Sequence, residues 1–367
     1  MAAKVCILTT VHSVFDTRIF YKECKTLAKA GYEVYLIVTY GKERIVDGIH
    51  IIPLPMKRGR FYRFLVKDFI ALKKAIKLNA KVYHFHDPEL IFVGLILKLL
   101  RKKVIYDVHE DVPKQILNKE WIGNLFIRKF IATVFNIFEQ FGASRFDGIV
   151  AATDDIANKF NPKKTILLRN FPILELVDKA DPVNIDENKF VVIYAGGLSR
   201  IRGIKEIVQA MEYLNGKAEL WLLGKWESEG FEKECKSLKG WQYTKYLGFK
   251  KTEEVYGYMK KSDVGIATLY PVENYLNSLP VKAFEYMACD LPMVMSNFPY
   301  WQEVFKDCAL FANPKDPKDI ASKTEYLLKN PDIAKKLGKR GRRLIEKEYS
   351  WEAESKKLLS LYKELLK

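Results

Sequence analysis

The sequence has little with which to build a disulfide framework. Its five cysteines, Cys6, Cys24, Cys235, Cys289 and Cys308, are odd in number, scattered, and never arranged as Cys-x-x-Cys. That spacing argues against both a stapled scaffold and a cysteine zinc site, and reads as reduced, buried thiols. No apolar run reaches the roughly 18–20 residues needed to span a bilayer. The opening MAAKVCILTT moves straight into a strand pattern without the apolar core of a secretory signal, so a cytoplasmic location is expected. There is no Asp-x-Asp triplet to clamp a divalent ion on a diphosphate. No metal and no cofactor are therefore expected. Low-complexity tracts and solenoid-length repeats are missing too.

What is present is enough chain for two cores. At 367 residues, 49% apolar and 29% charged, the sequence exceeds what one hydrophobic core usually serves. The net charge of +16 is uneven: residues 1–170 hold 29 Lys and Arg against 16 Asp and Glu. A one-sided positive field suits an anionic partner, whether membrane lipid, a lipid-diphosphate or nucleic acid.

Short apolar strands alternate with helical patterns through the first half, as a parallel sheet requires. The expected strands are 5–10, 33–39, 49–54, 81–85, 103–108, 147–152 and 165–170. Proline and charge mark 173–189 as a linker. The alternation then restarts with strands at 190–196, 218–224, 242–248, 263–268, 292–296 and 308–312. The expected architecture is α/β, with two facing Rossmann-like doubly wound domains, 1–172 and 190–350. A last helix, 351–367, is capped by Ser350. Ligands of such sheets bind at the carboxyl ends of the strands.

Two segments there suit a diphosphate. In NSLPVKAFEYM, residues 277–287, Ser278 serves as N-cap and Pro280 sits in the first turn, so that a helix over 279–288 points its free N–H groups and positive dipole end at the ligand. Lys282 opposes that dipole, which a nearby anion would explain, and Glu285 can accept from ribose hydroxyls. An ordinary amphipathic helix with solvated Lys and Glu is the competing reading. In YAGGLSRIRGIKEIVQAM, residues 194–211, Gly196 and Gly197 permit close backbone approach, Arg200 and Arg202 supply charge-assisted bonds, and Gly203 opens a helix.

These segments resemble the group-1 family of retaining GT-B glycosyltransferases, of family 4 type, and the resemblance covers nearly the whole chain. The family's G-R-L-x-x-x-K-G segment is matched by Gly196 to Gly203, with Gly197 in place of its arginine and Arg202 in place of its lysine. Its E-x7-E segment is matched by Asn277 through Glu285, with Asn277 in place of the first glutamate. The resemblance implies that Arg202 contacts the donor diphosphate, Glu285 the ribose, and the backbone around Ser278, Leu279 and Pro280 the phosphate or sugar. Arg200 is a candidate to replace the missing arginine. It further implies a last helix that crosses back to the N-terminal domain, and sugar transfer from a nucleoside-diphosphate sugar to a hydroxyl acceptor with retention. His109 aligns with a histidine that the family places beside the donor sugar, so that His109, Arg202 and Glu285 are the candidate catalytic residues.

The acceptor is expected on the N-terminal half, which holds all five histidines. His12, Asp16, Arg18, His86, Asp87 and Glu110 are its candidate contacts. Asp87-Pro88 also reads as a helix start, with Asp87 as N-cap, and Glu110 and Asp111 as caps of the following turn. In KRGRFYRFLVKDFIALKKAIKL, residues 57–78, Phe61, Phe64 and Phe69 share one helical face, while Arg63, Lys67, Lys73 and Lys74 gather on the other. That helix either covers its own sheet or lies on an anionic membrane, and 121–141 extends the aromatic surface. A glycolipid, lipid-linked or polysaccharide-precursor acceptor fits such a surface. The rivals are a sugar-nucleotide epimerase on the same fold and a basic nucleic-acid-binding protein, which the two phosphate-cradle segments disfavour.

Overall fold

The computed structural model describes residues 2–56, 59, 62, 66–185 and 189–367, and all structural statements concern these. They form two compact units, one from Met1–Asn170 with Glu354–Lys367, the other from Phe171–Ala353. The expected linker region 173–189 carries a short helix, Leu174–Lys179, that belongs to the second unit.

In the first unit the described strands are β1 (Lys4–Leu8), β2 (Glu33–Thr39), β3 (Arg44–Val46), β4 (Ile49–Leu54), β5 (Val82–Phe85), β6 (Lys103–Val108), β7 (Gly148–Ala151) and β8 (Thr165–Leu167). Their order is β3-β4-β2-β1-β5-β6-β7-β8. Every pairing is parallel except β3 with β4. That hairpin was not expected from the pattern, although Asp47 and Gly48, both at positive φ, form the two-residue connection such a turn favours. The central strands are buried on both faces, as parallel strands flanked by helices must be.

The helix Leu125–Arg145 packs unusually. Its buried positions are Ala132, Glu139, Gly142 and Ala143, while Phe126, Phe130, Ile137 and Phe141 face solvent. Small residues bring its backbone close to the helix Ile91–Leu99: a Cβ on Gly142 would stand 2.6 Å from Ile91 Cγ2. The buried Glu139 accepts from the Tyr106 hydroxyl of β6 at 2.9 Å. The last helix, Trp351–Leu365, is capped by Ser350, whose Oγ accepts from Ala353 N at 3.3 Å. Within the first unit it seats Tyr362, fully buried, against His84 of β5 at 3.0 Å.

The second unit holds β9 (Phe190–Ala195), β10 (Ala218–Leu223), β11 (Thr244–Gly248), β12 (Val264–Ala267), β13 (Met293–Ser296) and β14 (Ala309–Ala312). All pair in parallel in the order β11-β10-β9-β12-β13-β14. This is the doubly wound order whose switch point lies between the first and fourth strands, here β9 and β12. The switch point of the first sheet lies between β1 and β5. Both sets of candidate residues sit on the loops that follow these strands.

Candidate functional site

In the second unit, β9 ends at Ala195 and the chain turns through Gly196 at φ +146°. The turn is held by Gly196 N donating to Leu223 O at 2.8 Å and Leu198 N donating to Lys225 O at 2.9 Å. Gly203, at φ +68°, opens the helix Ile204–Leu214 so close to β12 that a Cβ there would overlap the Thr268 carbonyl oxygen. Tyr270 N donates to Ile201 O at 2.9 Å and ties the loop after β12 to this turn. The helix Val281–Ala288 is seated by Tyr286, whose hydroxyl donates toward the Ile193 and Ile266 carbonyls at 3.2 and 3.1 Å. Gly265 leaves room for that ring: a Cβ would be 2.7 Å from it.

Two cations meet over Gly196. A Cβ on this glycine would lie 2.5 Å from Lys282 Nζ and 3.3 Å from Arg202 Nη1. Arg202 donates to the hydroxyls of Tyr194 and Tyr275. Lys282 is buried, with its Nζ 3.9 Å from the Tyr194 ring centroid and donating to the Ala195 carbonyl. Burial first, and then the Arg202 guanidinium, push the Lys282 ammonium down to about 7 against the pull of Glu285. Arg202 and Lys282 beside a glycine turn, partly desolvated, form a site that a diphosphate would complete.

In the first unit a buried cluster gathers behind the strand ends. Arg18 Nη2 bonds both oxygens of Asp107 at 3.0 and 3.1 Å, and its Nε lies 3.0 Å from Glu23 Oε1. His109 Nε2 stands 2.9 Å from Asp107 Oδ1 and 3.2 Å from His86 Nδ1. His86 Nε2 in turn lies 3.3 Å from Glu23 Oε2. Burial works against the Asp107 charge, but Arg18 and then His109 outweigh it and hold the carboxyl well below its usual range. Burial and then the Asp107 charge push Glu23 well above its own, and burial followed by His84 pushes His86 well below. The network thus favours the charged forms of Asp107 and Arg18 and disfavours that of Glu23. Ligand atoms of Glu23, His84, His86 and Asp107 lie within 4.8 Å of one another, and the Arg18 guanidinium already supplies positive charge to both carboxylates.

The family model for Glycosyltransferase Family 4 matches residues 17–164, and that for Glycosyl transferases group 1 matches residues 178–344. The chain belongs to the group 1 glycosyltransferases of GT-B fold and family 4 type. Spore coat protein SA of Bacillus subtilis (strain 168) is 25% identical over 187 residues, 47% of this chain and 48% of that protein. The chain therefore spans about half the length of that curated relative. Sucrose-phosphate synthase from Thermosynechococcus elongatus superposes with a TM-score of 0.76 at 20% identity, over 99% of both chains. HepE of Anabaena in complex with UDP-glucose does so at 0.73 and 12% identity, over 98% of this chain and 99% of that one. At such identities the likeness is one of fold.

Within this glycosyltransferase, Gly196, Gly197, Arg202 and Lys282 come together. Two expectations about their surroundings are corrected, on Arg200 and on Ser278. The Arg200 guanidinium does not lie over Gly197: it pairs with Glu234 and stacks 4.8 Å from the Phe231 ring. The helix begins at Val281 with Pro280 in the cap position, so Ser278 is not its N-cap. Instead the Ser278 carbonyl accepts from Trp301 Nε1 at 2.7 Å, which anchors the loop carrying Leu279. Lys282 is buried, which goes against the competing reading of an ordinary amphipathic helix with a solvated lysine. Asn277 is exposed at the end of the short helix Glu273–Leu276, and Glu285 is half-buried one turn after Lys282.

On the acceptor side, His12, His86, Asp87, His109 and Glu110 line one cavity. Burial would lower the His12 pKa, but the hydrogen bond to Asp16 and the charge of Asp87 outweigh it and raise it. Arg18 is corrected from a substrate contact to an internal tie, and Asp87 lines the cavity while also tying the neighbouring loop. The Arg18 bonds all go to buried groups, including the Leu168 carbonyl. Asp87 holds the cap position of Pro88–Leu90, but its carboxylate accepts from Thr9 Oγ1, Thr10 N and Val11 N instead, clamping the loop after β1. Asp16 caps Thr17–Cys24 through Arg18 N and Ile19 N. Asp111 caps the helix Val112–Asn118, and Glu110 accepts from Gln115.

Of the membrane candidates, Phe61, Arg63 and Phe64 lie outside the described residues. Lys67 is buried and donates to Thr39 Oγ1 at 3.1 Å, so it does not belong to a solvent face. Lys73 is exposed and Lys74 half-buried. Tyr194, Tyr275 and Glu23 were not singled out from the sequence. Tyr194 and Glu23 fall where an ordinary core residue or a solvated helix charge would also fall, and only long-range packing reveals their partners.

Proposed function

We propose that this protein transfers a glycosyl group from a nucleoside-diphosphate sugar to a hydroxyl acceptor. The observation that carries the reading is the Arg202 and Lys282 pair over Gly196, at the switch point of the second sheet. These cations would stabilise the charge that develops on the leaving diphosphate, so the reading assigns no metal to the donor. The bond from the anomeric carbon to the phosphate oxygen breaks, with its electron pair going to the diphosphate. The acceptor oxygen bonds to that carbon on the same face, its proton passing to a phosphate oxygen, and configuration is retained. Glu285 holds the ribose, and Asn277 to Pro280 hold the phosphate or the sugar, a hexose. His109, held 2.9 Å from Asp107, is the candidate sugar contact that the family resemblance implies. HepE holds UDP-glucose, which makes UDP-sugars the first donors to try.

The acceptor is a glycolipid, lipid-linked or polysaccharide-precursor hydroxyl, as in cell-envelope synthesis, presented by the first unit. The exposed apolar face of Leu125–Arg145, with the surrounding positive charge, supports peripheral contact with an anionic membrane on its cytoplasmic face. No described helix is long and apolar enough to cross a membrane. A thermal-shift panel of UDP-, GDP-, ADP- and dTDP-sugars tests the donor. Stabilisation by none of them defeats the proposal, and an inverted linkage by NMR defeats the same-face step. Donor turnover without acceptor would favour the epimerase reading.

A further inference from the structure

The first unit contains a cavity of about 910 Å³ whose lining divides by element. The loops after β1, β5 and β6 contribute its polar groups, His12, His86, Asp87, His109 and Glu110 among them. The helices contribute mostly apolar ones, Phe69 and Leu72 from Asp68–Leu78, Phe92 from Ile91–Leu99, Ile116 from Val112–Asn118, and Phe135 and Phe138 from Leu125–Arg145, together with Asp68 and Gln115. The volume lies toward the top of the range for ligand sites, about 300–1,000 Å³.

We propose that this cavity takes the hydrocarbon chain of an amphiphilic acceptor, alkyl or polyprenyl, with its polar head at His12 and His109. Calling the occupant an acceptor rests on the glycosyl-transfer reading; the affinity of the cavity for a chain does not. Phe69, Phe92 and Phe138 line the cavity while remaining 65%, 62% and 39% exposed, so the apolar wall runs outward to solvent. Phe138 continues it onto the outward face of Leu125–Arg145, where Val134, Ile137 and Phe141 are also exposed. A chain entering from an apolar phase therefore meets the exposed rings of Phe138, Phe92 and Phe69. A head group carried on that chain meets the imidazoles at the strand ends, where doubly wound sheets present their ligands.

The test is calorimetric titration of the whole protein with hexyl, heptyl, octyl and nonyl β-D-glucosides, each below its critical micelle concentration. Burial of each added methylene should tighten binding about fourfold. Phe92→Asp, a change at an exposed position that the fold tolerates, should weaken the nonyl compound at least about tenfold, and Phe138→Ser should shorten the chain-length dependence. A series flat in chain length overturns the proposal. So does adsorption to phosphatidylglycerol vesicles with no binding of the monomeric glucosides, which would make this an adsorbing face rather than a chain site. If the chain-length series holds while no nucleotide sugar stabilises the protein, glycosyl transfer fails and the cavity stands. A flat series with nucleotide-sugar stabilisation intact removes the cavity proposal alone.

Discussion

Donor binding should draw a proton onto Lys282. In the free protein burial and Arg202 hold this ammonium at about 7, whereas a diphosphate beside it favours the charged form and moves it back toward the ordinary value of about 10.4. A group with a pKa of about 7 is roughly 0.9 deprotonated at pH 8 and about 0.1 at pH 6. Uptake should therefore be about 0.9 proton per site at pH 8 and close to zero at pH 6. The bound state holds more protons than the free state, so affinity falls as pH rises, by up to about tenfold per unit above 7, and levels off below about 6. Calorimetry with a nucleotide sugar in two buffers of different ionisation enthalpy reads this number directly. A nucleotide sugar is the right probe because its diphosphate diester does not titrate near neutrality. Lys282→Met should abolish both the uptake and the slope. Wild-type protein that binds donor at pH 8 with less than about 0.2 proton taken up would refute the argument from Lys282 burial.

The two arginines of the glycine turn should separate cleanly. With ligand at a hundredfold excess over its Kd, stabilisation is about 2.7 kcal/mol; Arg202→Ala should lose most of the resulting thermal shift, and Arg200→Ala, whose partner is Glu234, should keep it. The opposite ranking would reverse the assignment. Gly203→Ala forces a side chain onto the Thr268 carbonyl at positive φ and should cost at least about 2 kcal/mol in urea unfolding; unchanged stability would mean the two loops are not locked together. Arg18→Met strands Asp107 beside Glu23 and should cost about 3–5 kcal/mol by denaturant titration, where a loss below about 1 kcal/mol would show the cluster to be solvated.

Much of the fold was legible because parallel strands buried on both faces write themselves as short apolar runs between helical periods. The β3–β4 hairpin escaped that pattern, being three residues long at the sheet edge, although Asp47-Gly48 carried its signal. At the site, the glycine turn and Arg202 could be read from local chemistry and motif. The partner of Lys282 could not, since it is a strand-end carbonyl 87 residues away and periodicity assigns a helical lysine to solvent. The two cap readings came apart differently: the helix begins at Val281, past Ser278, whereas Asp87 does hold the cap position of Pro88–Leu90 but its carboxylate is drawn to the Thr9–Val11 loop. Arg200 and Arg202, two residues apart, diverge because the 3₁₀ turn Arg200–Arg202 aims one outward at Glu234 and the other back over the glycines.

The helix Leu125–Arg145 reverses the usual arrangement, with small residues and a glutamate inward and phenylalanine outward. Such a face is a colloidal liability, and the net charge of +16 should oppose two molecules meeting through it. Electrolyte should remove that protection: as the screening length shrinks from about 10 Å at 0.1 M to about 3 Å at 1 M salt, light scattering should show self-association, and a detergent monomer occupying the same face should reverse it. The ordinary remedy of raising ionic strength to keep a basic protein in solution would here work in the wrong direction.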